Sequence, residues 1–293
     1  IDRQCGSSQQ ALHFAAATVM SGQYDVVVAG GIESMSRIPM FSNGKGGDGP
    51  FGPMMVDRYD GKLVNQGVSA EMIAERWGLS RQYLDEMAVE SHERAARATA
   101  EGLFAEEIVP VNGVTADQGI RPGSSVEKLA KLPTPFVEDG VVTAGNASQI
   151  SDGSAALLVT TSEKAAELGL TPLVRFHTGV MAGVDPIIML TGPIPATEKV
   201  LARSGLRMDE IGAVEINEAF ASVVGAWFAE TGADPKITNP NGGAIALGHP
   251  LGASGARLMT TLIHQMRRND IRYGLQTMCE GGGMANATIV ELV

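Results

Sequence analysis

Apolar residues near the start of the chain recur with the period of an α-helix. Ser7 and Gln10 have the spacing of a capping box, and Gly22 is the residue type that commonly ends a helix. Between them, one helix face at positions i, i+3, i+4 and i+7 is filled by Leu12, Ala15, Ala16 and Val19. We therefore predict an amphipathic helix that begins at Ser7 and ends near Gly22.

A short run of valines follows this helix. Residues Asp25 to Ala29 are almost all apolar, which is typical of a strand covered on both faces. Gly30-Gly31 comes directly after the run and is expected to end the strand. This segment therefore predicts a short buried strand.

The C-terminal end of the chain repeats this arrangement. Ser254-Gly255 begins a predicted helix with Arg267-Arg268 in its last turn, where positive charge suits the helix dipole. Its apolar positions are Leu258, Leu262 and Met266. A strand, a glycine-rich turn and a closing strand are then predicted over Leu275–Met278, Cys279–Gly283 and Met284–Val293. The two copies lie about 248 positions apart, so we predict two similar α/β halves.

The sequence between these two ends has a different character. Glycine, proline and aspartate are frequent from Phe41 to Lys62, and prolines interrupt Thr115 to Val142, so both stretches are predicted to be irregular. The other expected elements are helices over Ser69–Trp77 and Ser80–Ala100, and strands over Ile108–Val114 and Asp152–Thr160. We predict a first half made of 1–40 and 146–171, a loop domain over 41–145 that is a common kind of place for a ligand site, and a second half over 172–293.

Composition limits the classes of function. The 293 residues are 44% hydrophobic but only 5% aromatic, so small aliphatic residues must fill the core. A net charge of −11 argues against general nucleic-acid binding, although clustered Lys and Arg could still bind a polyanionic cofactor. The sequence shows no apolar run near the roughly 20 residues of a membrane span and no signal peptide, so neither is predicted.

Two cysteines, Cys5 and Cys279, each lie beside glycines. Buried thiols of a cytoplasmic protein, a single disulfide and a reactive pair are all compatible with this count, and the glycines favour the reactive pair. Cys5 directly precedes a helix, where backbone N–H groups and the helix dipole are expected to lower the pKa of a thiol. The alternative is a small buried residue at a strand end.

A glycine-rich stretch from Asn239 to Gly255 surrounds His249. It is not a phosphate-binding loop, because His249-Pro250 stands where Gly-Lys-Ser/Thr would be required. A tightly held imidazole is the usual partner of a cysteine nucleophile. The other histidines are predicted to be structural or solvated, namely His13, His92, His177 and His264.

Two further sites follow predicted strands. Cys279 could act as acid and base toward carbon if its pKa lies near working pH, and Gly281 could bring a backbone N–H to a substrate oxygen. The alternative is a glycine-rich turn with an incidental cysteine. Asn217 could orient a water or an oxygen, or it could be a helix N-cap. The cysteine and histidine spacings do not support a metal site.

Four blocks of this sequence resemble the signature motifs of the thiolase family, in the family's order and over essentially the whole chain. The blocks are Asp2-Arg3-Gln4-Cys5-Gly6-Ser7-Ser8, Asn217-Glu218-Ala219-Phe220, Gly248-His249-Pro250 and Cys279-Glu280-Gly281-Gly282. The resemblance implies an α/β fold of duplicated βαβαβαββ halves in an α/β/α/β/α layering, with a loop-rich insertion in the first half. It also implies thiolysis of 3-ketoacyl-CoA, or the reverse Claisen condensation, in fatty acid and lipid degradation.

The resemblance implies a role for each motif. Cys5 would carry the acyl group, His249 would take the proton of Cys5, and Cys279 would exchange a proton with the second substrate. Asn217 would hold a water that forms one oxyanion hole with His249. The backbone N–H groups of Cys5 and Gly281 would form the other.

The resemblance also implies contacts with coenzyme A, which is a substrate and not a permanently bound cofactor. The residues at the matching positions are Gln66, Arg121, Phe136, Ala144, Ser148, Ala219 and Phe220. Ser148, Ala219 and Phe220 would meet the pantetheine arm, and Arg121 and Phe136 the nucleotide. Homodimers or homotetramers in the cytoplasm are expected by the same analogy.

Two features depart from the family pattern. Asn65-Gln66-Gly67 stands where acetoacetyl-specific members resemble His-Met-Gly, and the surrounding segment looks closer to actinobacterial thiolases of β-oxidation and steroid degradation. The resemblance also implies two βα units of about 30 residues each before the nucleophile. Their absence predicts a fragment whose first sheet exposes apolar faces.

Two alternatives to an active thiolase remain open. A ketoacyl synthase resembles the same fold but lacks the second catalytic cysteine, so Cys279 argues against it. The other alternative is an inactive thiolase-like lipid or sterol binder, or an inactive fragment.

Overall fold

The computed structural model describes residues 1–44, 46, 49 and 51–293. Its helices are α1 (Ser7–Met20), α2 (Pro53–Arg58), α3 (Gln66–Trp77), α4 (Arg81–Ala100), α5 (Val126–Leu129), α6 (Ser162–Glu167), α7 (Pro193–Ser204), α8 (Ala221–Thr231), α9 (Ala244–Leu247) and α10 (Ser254–Arg268). Its strands are β1 (Val26–Ser34), β2 (Asp152–Thr160), β3 (Val174–Gly183), β4 (Ala213–Ile216), β5 (Tyr273–Glu280) and β6 (Met284–Leu292).

The helices of the predicted loop domain form close to their expected positions. Asn65 caps α3 by accepting a hydrogen bond from the backbone N–H of Val68 at 3.0 Å, and Ser80 caps α4 in the same way. Gly78 ends α3 with a φ of 63°, a left-handed conformation that glycine adopts without strain. The predictions for α4, α10, β2 and β6 are confirmed.

The predicted capping box at the start of α1 is wrong. The Ser7 hydroxyl donates to the carbonyl of Gln4 at 2.7 Å and accepts the backbone N–H of Arg3 at 2.9 Å. Gln10 is buried instead of reaching back to the helix end. Ser7 therefore stabilises the turn that carries Cys5, because its hydroxyl faces the preceding residues.

The strand after α1 is longer and more exposed than predicted. β1 continues through Gly30 and Gly31 to Ser34, and Val28 and Ile32 on its outer face are 71% and 77% exposed. A side chain at Gly31 would collide with the carbonyl of Gly252. These glycines therefore do not end the strand but allow another backbone to approach it closely.

Other predicted segments also differ from the structure. Within the described residues, Ile108–Val114 forms only a single bridge between Val111 and Val114, since Pro110 interrupts it and no neighbouring strand lies beside it. α2 lies inside the predicted loop Phe41–Lys62, where Lys45, Gly47, Asp48 and Pro50 fall outside the described residues. α5 lies inside the predicted irregular stretch, and β5 is longer than its prediction, so that it includes Cys279.

The strands form two sheets. β1 and β2 pair antiparallel, and the larger sheet has the order β3-β6-β5-β4, with β4 and β5 parallel and the other pairs antiparallel. α1 and α10, the two helices of the sequence repeat, pack against each other between the sheets. α7 and α8 cover the opposite face of the larger sheet, where Trp227 is fully buried. This layered α/β architecture is the type that the thiolase resemblance implied.

The two central helices meet at their N-terminal ends. The hydroxyl of Ser8 accepts the backbone N–H of Ala256 at 2.9 Å, and Gly255 allows the backbone of Gln9 to approach. The turn before α1 and the loop before α10 therefore lie side by side.

Across the described residues, none of the helices is both long and apolar enough to cross a bilayer. The division into halves and a loop domain stays a prediction.

Candidate active site

Cys5 lies in a 3-10 turn, Gln4–Gly6, directly before α1, and is only 3% exposed. This turn packs against β5 and against the 3-10 turn Leu251–Ala253, which follows His249-Pro250. Gln4 adopts a φ of 52°, which is uncommon for a residue with a side chain. The tertiary packing therefore brings the segments that carry His249 and Cys279 against the turn that carries Cys5.

The predicted lowering of the Cys5 pKa is wrong. Burial and then the charge of Glu280 raise the pKa of the Cys5 thiol to about 12. The backbone N–H groups of Cys5 and Gly281 act in the opposite direction, but they do not outweigh the loss of hydration. Cys5 is therefore a neutral thiol at rest and needs a base before it can attack.

Cys279 lies near the C-terminal end of β5 and is 1% exposed. Burial raises the pKa of its thiol well above the usual value, and the charges of Cys5 and Glu280 raise it further. The resting site therefore does not meet the condition of a Cys279 pKa near working pH, on which the acid and base role was predicated. Both sulfurs are buried, and the turn of Cys5 packs against the strand β5 that carries Cys279.

His249 is held from both sides of its ring. Its Nδ1 lies 2.6 Å from the Ser254 hydroxyl oxygen, and its Nε2 lies 3.3 Å from Asn217 Nδ2. The single hydroxyl hydrogen of Ser254 is donated to the carbonyl of Pro250 at 2.8 Å, so Ser254 accepts the proton of Nδ1. Nε2 consequently carries the lone pair. Burial, followed by the charge of Arg257, lowers the pKa of His249 to about 3, so the ring is neutral.

Asn217 is not a helix N-cap, because α8 begins four residues later at Ala221. Its backbone N–H donates to the carbonyl of Thr277 at 3.1 Å and so extends the pairing of β4 with β5. Its side-chain oxygen is buried and has no hydrogen-bond partner in the described part of the chain. An oriented amide with a free acceptor beside an imidazole can hold a water or a ligand oxygen.

Gly281 follows β5 in a crowded position. A side chain there would collide with the amide oxygen of Gln4, and its Cβ would lie 3.1 Å from Gln66 Nε2. The missing side chain therefore lets the Gly281 backbone approach the Cys5 turn. The role of Gly281 as an oxyanion-hole donor stays a prediction.

The candidate pantetheine residues form one surface. Ala147 bridges to Phe220, and the backbone N–H of Ser148 donates to the carbonyl of Ala219 at 3.0 Å. The ring of Phe136 lies edge-to-face with Phe220, with ring centroids 6.2 Å apart. Phe136 also covers Gly67, next to Gln66, and it would collide with any side chain there. Ala144 is exposed, four residues before Ser148.

Arg121 lies beside this surface on a neighbouring loop. Its backbone N–H donates to His92 Nδ1 at 3.2 Å. Gln149, next to Ser148, donates to the carbonyl of Gly119 at 2.9 Å and so links the two loops. The Arg121 side chain is exposed and forms no ion pair with the described residues. It is therefore available to an anionic ligand.

Sequence reasoning missed several residues that shape the site. Ser254 orients His249, and the Glu71 carboxylate accepts the backbone N–H groups of Val141 and Val142, which fixes the loop before Ser148. Arg3 pairs with Glu280 beside the two cysteines. A glutamate that is flanked by Ala70 and Met72 in a predicted helix was a visible signal for Glu71.

The groove and the histidines outside this site do not form a second site with a reactive cysteine. An apolar groove of about 610 Å³ lies between α1, β2 and α10, but neither cysteine lines it. His13, His177 and His264 contact Thr288, Thr178 and Glu106, away from the cysteines. Among residues that the structure describes, no cluster of His, Cys, Asp and Glu has the geometry to hold a metal ion.

Comparison with known proteins agrees with this geometry. Residues 1–163 match the family described as Thiolase, N-terminal domain, and residues 170–292 match Thiolase, C-terminal domain. The chain is 50% identical to a steroid 3-ketoacyl-CoA thiolase, FadA6, of Mycobacterium tuberculosis, over 99% of this chain and 74% of that protein. It is 41% identical to a 3-ketoacyl-CoA thiolase of Bacillus subtilis, over 100% of this chain and 78% of the relative.

A relative with a different named activity also matches. An acetyl-CoA acetyltransferase of Rhizobium meliloti is 43% identical, over 99% of this chain and 78% of the relative. Overall identity to these relatives therefore does not distinguish a 3-ketoacyl-CoA thiolase from an acetyl-CoA acetyltransferase. Both family matches and all three relatives agree on the broader assignment, and this chain belongs to the thiolase family.

Proposed function

We propose that this thiolase cleaves 3-ketoacyl-CoA by thiolysis through an acyl-enzyme on Cys5, and that it runs the reverse condensation at the same site. The observation that carries the proposal is the shared burial of Cys5 and Cys279, with the Gly281 backbone lying against the Gln4 side chain of the Cys5 turn. A neutral thiol pair protects the resting enzyme from other electrophiles, since the thiolate is the reactive form.

The first step forms the acyl-enzyme. His249 accepts the Cys5 proton at Nε2, and the Cys5 sulfur attacks the 3-keto carbon. The bond between C2 and C3 breaks, its electron pair passes to the departing acetyl-CoA as an enolate, and Cys279 donates a proton to C2. The backbone N–H groups of Cys5 and Gly281 stabilise the oxygen of the carbon that Cys5 attacks.

The second step returns the enzyme to its resting state. The Cys279 thiolate takes the proton of an incoming CoA thiol, and the CoA sulfur attacks the acyl group on Cys5. The Cys5 sulfur leaves and recovers its proton from His249. Asn217 and His249 stabilise the thioester carbonyl oxygen of the departing acetyl-CoA, which gains negative charge as the enolate forms. The unpartnered amide oxygen of Asn217 supports a bound water in this oxyanion hole.

The acyl pocket is proposed to accept substrates longer than acetoacetyl-CoA. Cys279 packs in an apolar cluster with Ala70, Ile73, Val142, Met189, Leu190, Ala219 and Phe220. Gln66 stands at the edge of this cluster with its amide against Gly281. A relative named as a steroid 3-ketoacyl-CoA thiolase supports a bulky acyl group, and an acetyl-CoA C-acetyltransferase is the competing specificity.

Coenzyme A is proposed to lie along the surface formed by Phe136, Ser148, Ala219 and Phe220. The aromatic pair offers an apolar wall, and Arg121 offers an exposed cation for the nucleotide phosphates. The surface begins beside the apolar cluster of Cys279, so a ligand on it would point a thiol toward the cysteines. Ala144 and Gln66 complete the proposed contact set.

A cytoplasmic location and a homodimer or homotetramer belong to the same proposal. Both cysteines are buried free thiols, which supports a reducing compartment. Exposed apolar residues on β1 and β2, including Val28, Ile32 and Leu158, support contact with further protein surface.

Acylation of the protein tests the proposed function. The protein is incubated with acetyl-CoA, digested, and analysed by peptide mass spectrometry. We expect acetyl on the peptide that carries Cys5. Thiolysis is then measured over a series of 3-ketoacyl-CoA lengths, steroid-linked substrates included. Label confined to Cys279, or no label and no turnover, would contradict the proposal and favour a lipid- or sterol-binding role.

A further inference from the structure

A buried ion pair joins the two segments that carry the cysteines. Arg3 Nε lies 2.7 Å from Glu280 Oε2, and the side chains are 18% and 0% exposed. Arg3 comes two residues before Cys5, and Glu280 directly follows Cys279. The pair therefore connects the Cys5 turn to the end of β5 at the level of the sulfurs.

Glu280 has few other interactions. Its contact with Arg3 is an ion pair by distance, and neither carboxylate oxygen has a partner with hydrogen-bond geometry within the described residues. The carboxylate lies against the backbone of Gly6, where any side chain would collide with it. Burial raises the pKa of Glu280 to about 7, and Arg3 acts in the opposite direction. A buried carboxylate with one partner depends strongly on that partner.

The charge of this carboxylate acts on both thiols. After burial, Glu280 is the largest cause that raises the pKa of Cys5, and it also raises the pKa of Cys279. Glu33 of β1 acts on Cys5 in the same direction, and the ring of His249 is neutral and adds no charge. Arg3 is the cation that faces the carboxylate.

We propose that the Arg3–Glu280 ion pair is a positioning device that fixes the Cys5 turn on β5 and sets the charge experienced by the two sulfurs. The role rests on the proposed acyl transfer at Cys5. Neither side chain is assigned a contact with substrate. The expected consequence is that the two partners have opposite effects on the ionisation of Cys5, because they carry opposite charges.

The test measures the alkylation rate of Cys5 by iodoacetamide across the alkaline range, with peptide mass spectrometry as the readout. Glu280→Gln removes the negative charge but keeps the shape, so the pH profile should move to lower pH. Arg3→Gln leaves the carboxylate uncompensated, so the profile should move to higher pH. Each shift of one pH unit is about a tenfold change in rate at fixed pH. Arg3→Lys keeps the charge and should restore a profile close to that of the unmodified protein.

Glu291→Gln is the matched control. Glu291 lies on the neighbouring strand β6 and pairs with Arg272 at 3.0 Å, so this substitution should leave the pH profile of Cys5 alkylation unchanged. If the pair only fastened the fold, either substitution would admit water to Cys5, and both profiles would move to lower pH. That result, or the absence of any shift in folded variants, would overturn the proposal. Alkylation needs no acyl-CoA, so a failure of acylation in the unmodified protein would count against the proposed function and not against the ion pair.

Discussion

His249 Nδ1 lies 2.6 Å from the hydroxyl oxygen of Ser254, and this contact determines which ring nitrogen can act as a base. The Ser254 hydroxyl hydrogen is committed to the carbonyl of Pro250, so Nδ1 carries the ring proton and Nε2 the lone pair. Nε2 is the nitrogen that faces Asn217. A serine five residues after the histidine therefore selects the tautomer that the proposed chemistry requires.

Replacing Ser254 with alanine should slow acylation of Cys5. Without its acceptor, the ring can adopt the other tautomer or rotate, and a loss of roughly tenfold to a hundredfold is expected, less than the full contribution of a general base of about 10²–10⁴ because the imidazole itself remains. The measurement is the single-turnover acetylation rate. Ser222→Ala is the control, because Ser222 is fully buried but its hydroxyl lacks a partner among the described residues. Equal rates for both variants would contradict the assignment.

Replacing Cys279 with alanine should separate the two halves of the reaction. The variant should still form an acyl-enzyme on Cys5 from acetyl-CoA, because Cys5 and His249 are unchanged and CoA can leave as a thiolate without a proton from Cys279. It should fail at carbon–carbon bond formation, where Cys279 is proposed to exchange a proton with carbon. Peptide mass spectrometry measures the first step and a condensation assay the second. Equal loss of both steps would remove the division of labour between the cysteines.

Replacing Gly281 with alanine should displace the proposed oxyanion-hole donor. The new methyl group would collide with Gln4 and crowd Gln66, so the backbone N–H must move. Loss of one such donor commonly lowers kcat by about 10²–10³. Gly52→Ala is a suitable control, because Gly52 has a φ of −70° and a methyl group added there would meet open space. Normal turnover in the Gly281 variant would argue against this donor.

Replacing Arg121 with glutamine should raise KM for acyl-CoA by roughly two- to fivefold and leave kcat nearly unchanged, as expected for an exposed charge contact. The effect should weaken with added salt. A substrate that lacks the 3′-phosphate should show less difference between the variant and the unmodified protein. Arg207→Gln, which changes a distant exposed arginine paired with Asp209, is the control. An equal effect of both substitutions would exclude a specific phosphate contact.

Glu215 should make stability depend on pH in the direction opposite to an ordinary salt-bridged carboxylate. Burial raises its pKa to about 8, so the folded protein holds a proton that the unfolded chain releases near its usual value of 4.5. Stability from this proton is present at low pH and is lost as pH rises toward about 8. The slope is at most about 1.4 kcal/mol per pH unit.

Urea unfolding midpoints across this pH range measure that dependence. Glu215→Gln mimics the protonated side chain, so its stability should decline less steeply as pH rises. Glu163→Gln is the control, because Glu163 lies exposed in the first turn of α6. An unchanged slope in the Glu215 variant would show that this group does not retain its proton in the folded state.

Local patterns were sufficient for part of the fold and of the candidate site. The apolar spacing on α10 predicted that helix, because helix periodicity depends on neighbours in the chain. The motifs around Cys5, His249 and Cys279 identified the candidate reactive groups and their chemical types. The prediction that Gly30 and Gly31 end the strand was wrong, because these glycines allow the close approach of distant backbone, at Ala155 for Gly30 and at Gly252 for Gly31.

The sequence by itself therefore determined which reactive side chains exist and which local elements carry them. Only the tertiary structure decided their state: burial raised the pKa of Cys5 where its position before a helix predicted a decrease. It also decided the partner of Glu280, since Arg3 lies at the other end of the chain. Hydration and charge at a buried atom depend on all neighbours in space, and spacing along the chain does not specify those neighbours.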